Sequence, residues 1–391
     1  MPYFVGVRNG GCAHLNIVAD GNQQVVLARF DDAGFFIKKD LERPLESFVA
    51  DLETLTFQTR LGSFLDKTQR VVQLVESLGE KLSLNPTEMK NALRAARLCK
   101  ADLATRMVVE MTSLQGVMGR YYALQSGEEP AVAEAIFEHY LPRASQDRLP
   151  ETRIGLVVGV ADRLDSLIGL FAVGLAPTGT KDPFAQRRTA LGLCQNLLAW
   201  KLSFDLRWGL QEAARNYAIE VKPADIEDCL NFIIGRLRGM LLEMGFSYDV
   251  VEAVLAEKGT DPYGALLGVQ ELTLWVSRED WSQILPAFSR CVRITRDEEE
   301  KFVVDTAQFE ADAEKQLYSE ILQAEQVAGE SDRVEKVLNA FLPLVPVINQ
   351  FFDAVLVMAE DDVHRKNRLA LLQRVAALTD GVVDLSALEG F

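Results

Sequence analysis

Imidazole is nearly absent. The 391 residues include three histidines, His14, His139 and His364, too few for a His-rich metal chemistry. Cysteine is sparse as well. Cys12, Cys99, Cys194, Cys229 and Cys291 are odd in number, far apart and never in CxxC spacing. That excludes a disulfide framework or a zinc cluster and suits a reducing compartment. No uncharged apolar run reaches 18 residues, so neither a transmembrane helix nor a membrane partner is expected. The opening MPYFVGVRNG lacks a basic stretch followed by an apolar one, so no secretory leader is expected and the location read from these absences is cytoplasmic. Strand signal is also scarce. Only residues 3–8 (YFVGVR) alternate in a β-rich way, ahead of the turn residues Asn9-Gly10-Gly11, and a lone strand needs a partner.

Positive charge is in deficit. A net charge of −16 counts against generic nucleic-acid binding, which needs local Lys and Arg to neutralise phosphates. The average hides a gradient: residues 297–336 hold 13 acidic against 4 basic groups, whereas residues 141–208 hold 9 basic against 6 acidic. A local basic face is therefore compatible with the total.

Helical patterning fills the rest. The apolar fraction of 48 % and charged fraction of 25 % are ordinary for a globular chain, and the length suffices for two or three domains. Helices are expected from residue 16 to 36, over 45–55 after Pro44, and over 61–82 with Leu65, Val72, Val75 and Leu82 on the apolar side. Asn85-Pro86-Thr87-Glu88 reads as N-cap, first helical proline and capping-box acid, opening a helix expected to continue through Cys99 and Asp102 to Val108. Further helices are read at 115–122, 132–140, 206–217, 224–244, 249–256, 302–326, 332–339, 345–358 and 362–380. Composition breaks near residues 204–205 and 290–300.

Residues 155–200 organise this pattern. An apolar helix carries Asp162 and Asp165 one turn apart, Pro177 and Gly179 break it, and residues 181–188 begin a cationic helix. Acids inside a run of Val, Leu and Ile are either buried ion pairs or part of a site. Ala161-Asp162-Arg163-Leu164 resembles the last motif of the HD superfamily of helical phosphohydrolases, in which a His, a His-Asp pair and this Asp converge on a divalent metal. Here Ala101 precedes Asp102 where the histidine of the pair belongs, Gln58 stands near the first histidine's place, and His139 is the imidazole of the region. The alternatives are a metal-dependent HD-type phosphohydrolase using Asp102, His139 and Asp162, or a degenerate scaffold with no metal, in which Asp162 pairs with Lys100 or Arg163. Thr178 to Arg188 (TGTKDPFAQRR) reads either as a phosphate site, with exposed helix amides, Lys181, Arg187 and Arg188, or as a capped helix whose arginines bind the domain's own acids.

The run LPETRIGLVVGVADRLDSLIGLFAVGLAPTGTKDPFAQRRTALG closely resembles the β subunit of bacterial-type glycyl-tRNA synthetase. KADLATRMVVEMTSLQGVMGRYYAL, GNQQVVLARFDDAGFFIKKDLERPLESF and FFDAVLVMAEDDVHRKNRLALL carry the resemblance along nearly the whole chain. It implies a mainly α fold: residues 1–44 as the C-terminal, short β-containing remnant of a preceding domain, 45–204 as an HD-like helical domain, and 205–391 as a helical linker with a DALR-like anticodon-binding domain. It also implies that this chain binds glycine tRNA for an α subunit, in an α2β2 assembly or an αβ fusion. ATP and Mg would be used by that subunit, with no cofactor, metal or catalytic residue in this chain. Candidate tRNA contacts are Lys181, Arg187 and Arg188, the stripe Arg290, Arg293 and Arg296, and Arg365, Lys366, Asn367 and Arg368 at the start of the last long helix. Arg368 has the alternative of pairing with Asp361 or Asp362.

Overall fold

Asn85 starts its helix as its sequence context dictates. Its side chain accepts hydrogen bonds from Thr87 N at 3.0 Å and Glu88 N at 2.9 Å, while Glu88 Oε2 accepts from Asn85 N at 3.0 Å, closing a reciprocal capping box with Pro86 in the first turn. Ser63 and Asp66 cap the preceding helix by the same device. The computed structural model describes residues 3–144, 146–329 and 331–391, and helices dominate it.

Compactness divides the chain into two units: residues up to Leu175 together with Gln211–Lys222, and Ala176–Leu210 together with Pro223–Phe391. This division differs from the sequence boundary at 204. The first unit holds α1 Leu15–Asp40, α2 Phe64–Lys81, α3 Pro86–Leu98, α4 Arg106–Glu110, α5 Val117–Gln125, α6 Pro130–Glu138 and α7 Arg153–Ala172. The second unit begins with α8 Gln186–Ala199, and α9 Leu206–Arg215 belongs partly to each. It continues with α10 Pro223–Glu243, α11 Tyr248–Lys258, α12 Pro262–Val276, α13 Trp281–Thr295, α14 Asp312–Ala328, α15 Val334–Phe341, α16 Leu344–Ala354 and α17 Asp362–Ala377.

In the first unit α7 is the central element, packed on α2, α3 and α6. Leu74 and Leu78 of α2, Ala92 and Ala95 of α3 and Ile136 of α6 are buried around its Val158, Ala161, Leu164 and Ile168. Gly155 permits a close approach to the end of α6: a Cβ there would lie 2.2 Å from Glu138 Oε2. In the second unit α8 packs on α10 and α12, and α13 packs on α16 and α17. The edge-to-face pair Phe288–Phe341, 5.5 Å between centroids, anchors α13 to α15.

Several expectations are corrected. Residues 3–8 form no strand, because no partner strand among the described residues offers a ladder; the one sheet described pairs β1 Thr56–Gln58 with β2 Gly62–Ser63. Residues 45–55 make two short 3-10 turns rather than an α-helix. The helix read from 86 to 108 stops at Leu98, since Asp102 and Thr105 turn their side chains to cap later segments. α12 lies in a stretch with no helix expected from the sequence, and α14 starts ten residues later than expected. α1 stands apart from the other long helices: only Asp40 is buried among its 26 residues, while Val25, Leu27, Phe30 and Phe35 are exposed. Asp40 ties its end down by accepting from Arg106 N and Met107 N, both at 3.0 Å, and from the Tyr122 hydroxyl at 2.8 Å.

Removing the α3 cap tests this account of chain folding. Asn85→Ala is expected to lower stability by about 1 kcal/mol in urea unfolding, with helix content kept; an unchanged midpoint would show that the box contributes nothing.

Candidate functional site

Asp162 and Asp165 lie three residues apart on α7, so both point to one side of the helix, where α2 presents Lys67 and Arg70 at the same spacing. Lys67 Nζ lies 2.9 Å from Asp165 Oδ2 and 3.1 Å from Asp162 Oδ1, and it also donates to the Ser166 hydroxyl at 2.7 Å. Arg70 Nε donates to Asp165 Oδ1 at 2.7 Å, and its guanidinium covers the Tyr217 ring at 4.2 Å. On the other side of Asp162, Lys100 Nζ reaches Oδ2 at 3.1 Å and His139 Nε2 at 2.9 Å, 4.2 Å from the centroid of the Tyr140 ring. All of these charged groups except the partly exposed Asp162 are buried.

The protonation states follow from the partners. Burial alone would raise Asp162, yet the ammonium groups of Lys100 and Lys67 hold it far below the usual carboxylate range. Burial would lower Lys67, but the Asp162 and Asp165 carboxylates outweigh it and raise the ammonium's pKa. His139 is pushed well below its ordinary value by burial and by the neighbouring Lys100 charge. Its Nδ1 lies 2.7 Å from the Ile136 carbonyl oxygen, so Nδ1–H donates there and Nε2 accepts from Lys100.

Asp102 and His139, which only the alternative phosphohydrolase reading brings together at a metal, serve different bonds. Asp102 Oδ2 accepts from Gly116 N at 2.6 Å and Gly119 N at 3.0 Å, whereas Oδ1 has no hydrogen-bond partner among the described residues. Burial raises Asp102 to about 6 despite these bonds. Lys100 Nζ thus sits between His139 Nε2 and Asp162 Oδ2, and no trio of His, Cys, Asp or Glu among the described residues is arranged to hold a metal ion. Lys100 pairs with Asp162, as one sequence reading expects. Arg163 does not: it donates to the carbonyl oxygens of Gly159, His139, Tyr140 and Leu141. Lys67 and Arg70 are the functional residues that the sequence reading misses. Their signal is present, because Lys67 shares its helix stripe with Val71, Leu74 and Leu78, and a lysine on an apolar stripe needs a buried acid.

The proposed surface cations divide into two groups. At the start of α8, the Asp182 carboxylate accepts from Gln186 N at 2.8 Å and Arg187 N at 2.9 Å. The amides expected to cradle a phosphate are therefore already occupied by an internal anion. Arg187 folds back to donate to Gly179 O at 2.6 Å. Lys181, in the turn before the helix, and Arg188 are exposed. On α17 the outward reading fails for two residues. Asn367 is buried and exchanges two hydrogen bonds with the Asp305 backbone, at 2.7 and 3.0 Å. Arg368 is buried against Glu314 at 2.8 Å and Glu310 at 2.7 Å, in place of the Asp361 or Asp362 expected. Arg365 and Lys366 both pair with Asp362. Arg290 and Arg293 of α13 and Arg296 at its C-cap remain exposed.

Fold and cluster together define a mainly helical protein in which two aspartates of α7 are held by buried lysines and an arginine. A family model described as "Glycyl-tRNA synthetase beta subunit" matches residues 1–256, and one described as "DALR anticodon binding domain" matches residues 284–385. The chain belongs to the glycyl-tRNA synthetase beta subunit family. It is 39 % identical over 99 % of its length to the glycine–tRNA ligase beta subunit of Clostridioides difficile, covering 56 % of that protein. Identity to the Desulforudis audaxviator beta subunit is 42 %, over 99 % of this chain and 57 % of the relative. The chloroplastic/mitochondrial glycine–tRNA ligase 2 of Arabidopsis thaliana is 37 % identical over 100 % of this chain, which covers 37 % of it. The chain thus spans about half the length of the bacterial relatives it matches.

Two outcomes test the cluster. Lys67→Met leaves buried Asp165 with one cation and should lower stability by about 3–5 kcal/mol in urea unfolding; a loss below about 1 kcal/mol would show that the pair is idle. The pH response separates Asp102 from His139. A histidine with a depressed folded pKa stabilises above its unfolded value near 6.5, and the contribution is lost as pH falls below that value. A carboxyl raised to about 6 acts oppositely, since the folded state holds a proton that the unfolded state releases and acidification through that window adds stability. Asp102→Asn removes the second effect only. The variant should lose more stability than the parent between about pH 6.5 and about pH 4, and parallel profiles would reject the assignment.

Proposed function

We propose that this chain is the tRNA-binding part of a glycyl-tRNA synthetase β subunit, positioning glycine tRNA for ATP-dependent aminoacylation by an α subunit. The observation that carries the reading is the match of residues 284–385 to an anticodon-binding domain, in the segment where α13 leaves Arg290, Arg293 and Arg296 exposed. In a chain of net charge −16, outward arginines on one helix offer local phosphate neutralisation where the average charge would repel RNA. Lys181 and Arg188 form a second, smaller cationic patch at the start of α8. ATP and Mg belong to the α subunit in this reading, and this chain holds neither. The assembly is α2β2 or a fused αβ chain; the long Arabidopsis relative, named as a ligase without a subunit designation, supports the fused form. The proposed location is the cytoplasm, and no single helix among the described residues is long and apolar enough to cross a membrane.

Filter binding with glycine tRNA over a salt series tests the reading. The chain should bind with a strongly salt-dependent affinity. Arg293→Ala with Arg296→Ala should weaken binding and lower the salt slope by about one for each phosphate that is no longer neutralised. Arg368→Ala should instead reduce thermal stability. Absence of any tRNA binding at low salt would sink the proposal, and co-purification with the α subunit but not RNA would replace it with a docking scaffold.

A further inference from the structure

Arg290, like Arg278, Arg293 and Arg374, lies over an aromatic ring, but it lacks the carboxylate partner that holds Arg278 and Arg374. Its guanidinium carbon sits 4.2 Å from the centroid of the Phe352 ring, and Nη1 lies 3.4 Å from Asn349 Oδ1. Arg365, Arg368 and Arg374 are each held by a carboxylate, whereas none lies within 4.0 Å of Arg290 among the described residues. Asn349 and Phe352 lie one turn apart on α16, and α16 packs beside α13. Arg290 and Asn349 are exposed, and Phe352 is half-buried.

A guanidinium laid on an aromatic ring is held flat. Its free face is a planar cation of the size and polarisability that stack on a nucleobase, and the restraint reduces the freedom lost on binding. A phosphate contact needs no such platform, since a mobile lysine or arginine serves equally. With Oδ1 of Asn349 taken by Arg290, the donor that Asn349 has left is its amide N–H2, which can bond an acceptor on a base edge. Planar cation, aromatic backing and amide donor together suit an unpaired base, because a paired base keeps both faces covered.

We infer that Arg290, Phe352 and Asn349 form the seat for one unpaired nucleobase of the bound RNA, stacked on the guanidinium and read at its edge by Asn349. The inference rests on the tRNA reading above. The test uses the full chain and glycine tRNA transcripts carrying 2-aminopurine at single anticodon-loop positions. One position should show quenching on binding to the parent protein, and Phe352→Leu and Arg290→Lys should each abolish that quenching. Both should weaken binding roughly five- to hundredfold while leaving the salt slope unchanged, because neither removes a charge. Asn349→Ala, at an exposed position, should keep the quenching and lose discrimination between bases there. If the parent binds the transcript while both stacking variants bind and quench as it does, the seat is overturned and the tRNA reading stands. If the parent does not bind at all, the tRNA reading fails and takes the seat with it.

Discussion

The first unit depends on the bond between Lys67 of α2 and the two aspartates of α7. α7 carries a nearly continuous apolar surface, and helices packed on such a surface can slide by a turn with little change in buried area. A lysine 2.9 Å from Asp165 and 3.1 Å from Asp162 removes that freedom, because a slipped register would leave charges in the core without partners. Lys100 and His139 fix the opposite side of Asp162 in the same way, bringing the end of α6 and the turn after α3 to one point on α7. Apolar burial supplies the driving force in this unit; the charges select one packing.

The second unit distributes its charges by a different rule. Its acid surplus does not merely face solvent. Glu310, Glu314 and Glu325 hold Arg368 and Arg374 against the domain, so much of the positive charge that the last helix shows in the sequence is consumed internally. On α13, Arg290 escapes this because its neighbours on α16 are Asn349 and Phe352, and Arg293 reaches the Phe391 carbonyl oxygen instead. A surface that is acidic overall thus displays positive charge at a restricted place. Such a surface repels indiscriminate polyanions while retaining a local contact for one of them.

Much of the architecture is legible in the sequence because helix starts are local. Asn85 with Glu88, and the long apolar period of α7, specify their own geometry within a turn or two. Residues 3–8 show the limit: alternation describes a strand's faces, but a strand exists only if another chain segment pairs with it. The site is legible in part for the same reason. Asp162 and its pairing to Lys100 can be read from burial logic, while the second cation, Lys67, lies 95 residues away in sequence and only tertiary packing joins them. Asn367 and Arg368 mislead because a polar run at a helix start looks the same whether it faces water or caps a loop, and Asp305, Glu310 and Glu314 decide which. Phe352 gives no signal of its own, since an aromatic on an apolar helix reads as core.

Holding buried carboxylates with lysine rather than with an ion has a thermodynamic consequence. A core closed by a divalent ion folds only as far as the ion is available, and metal affinity becomes part of the folding free energy. An ammonium tethered to the chain is present at an effective concentration that no external supply alters. It also carries one positive charge where an ion carries two, and Arg70 and Lys67 provide the rest of the compensation from α2. The three cations enclose Asp162 and Asp165 with one positive charge more than the two carboxylates carry.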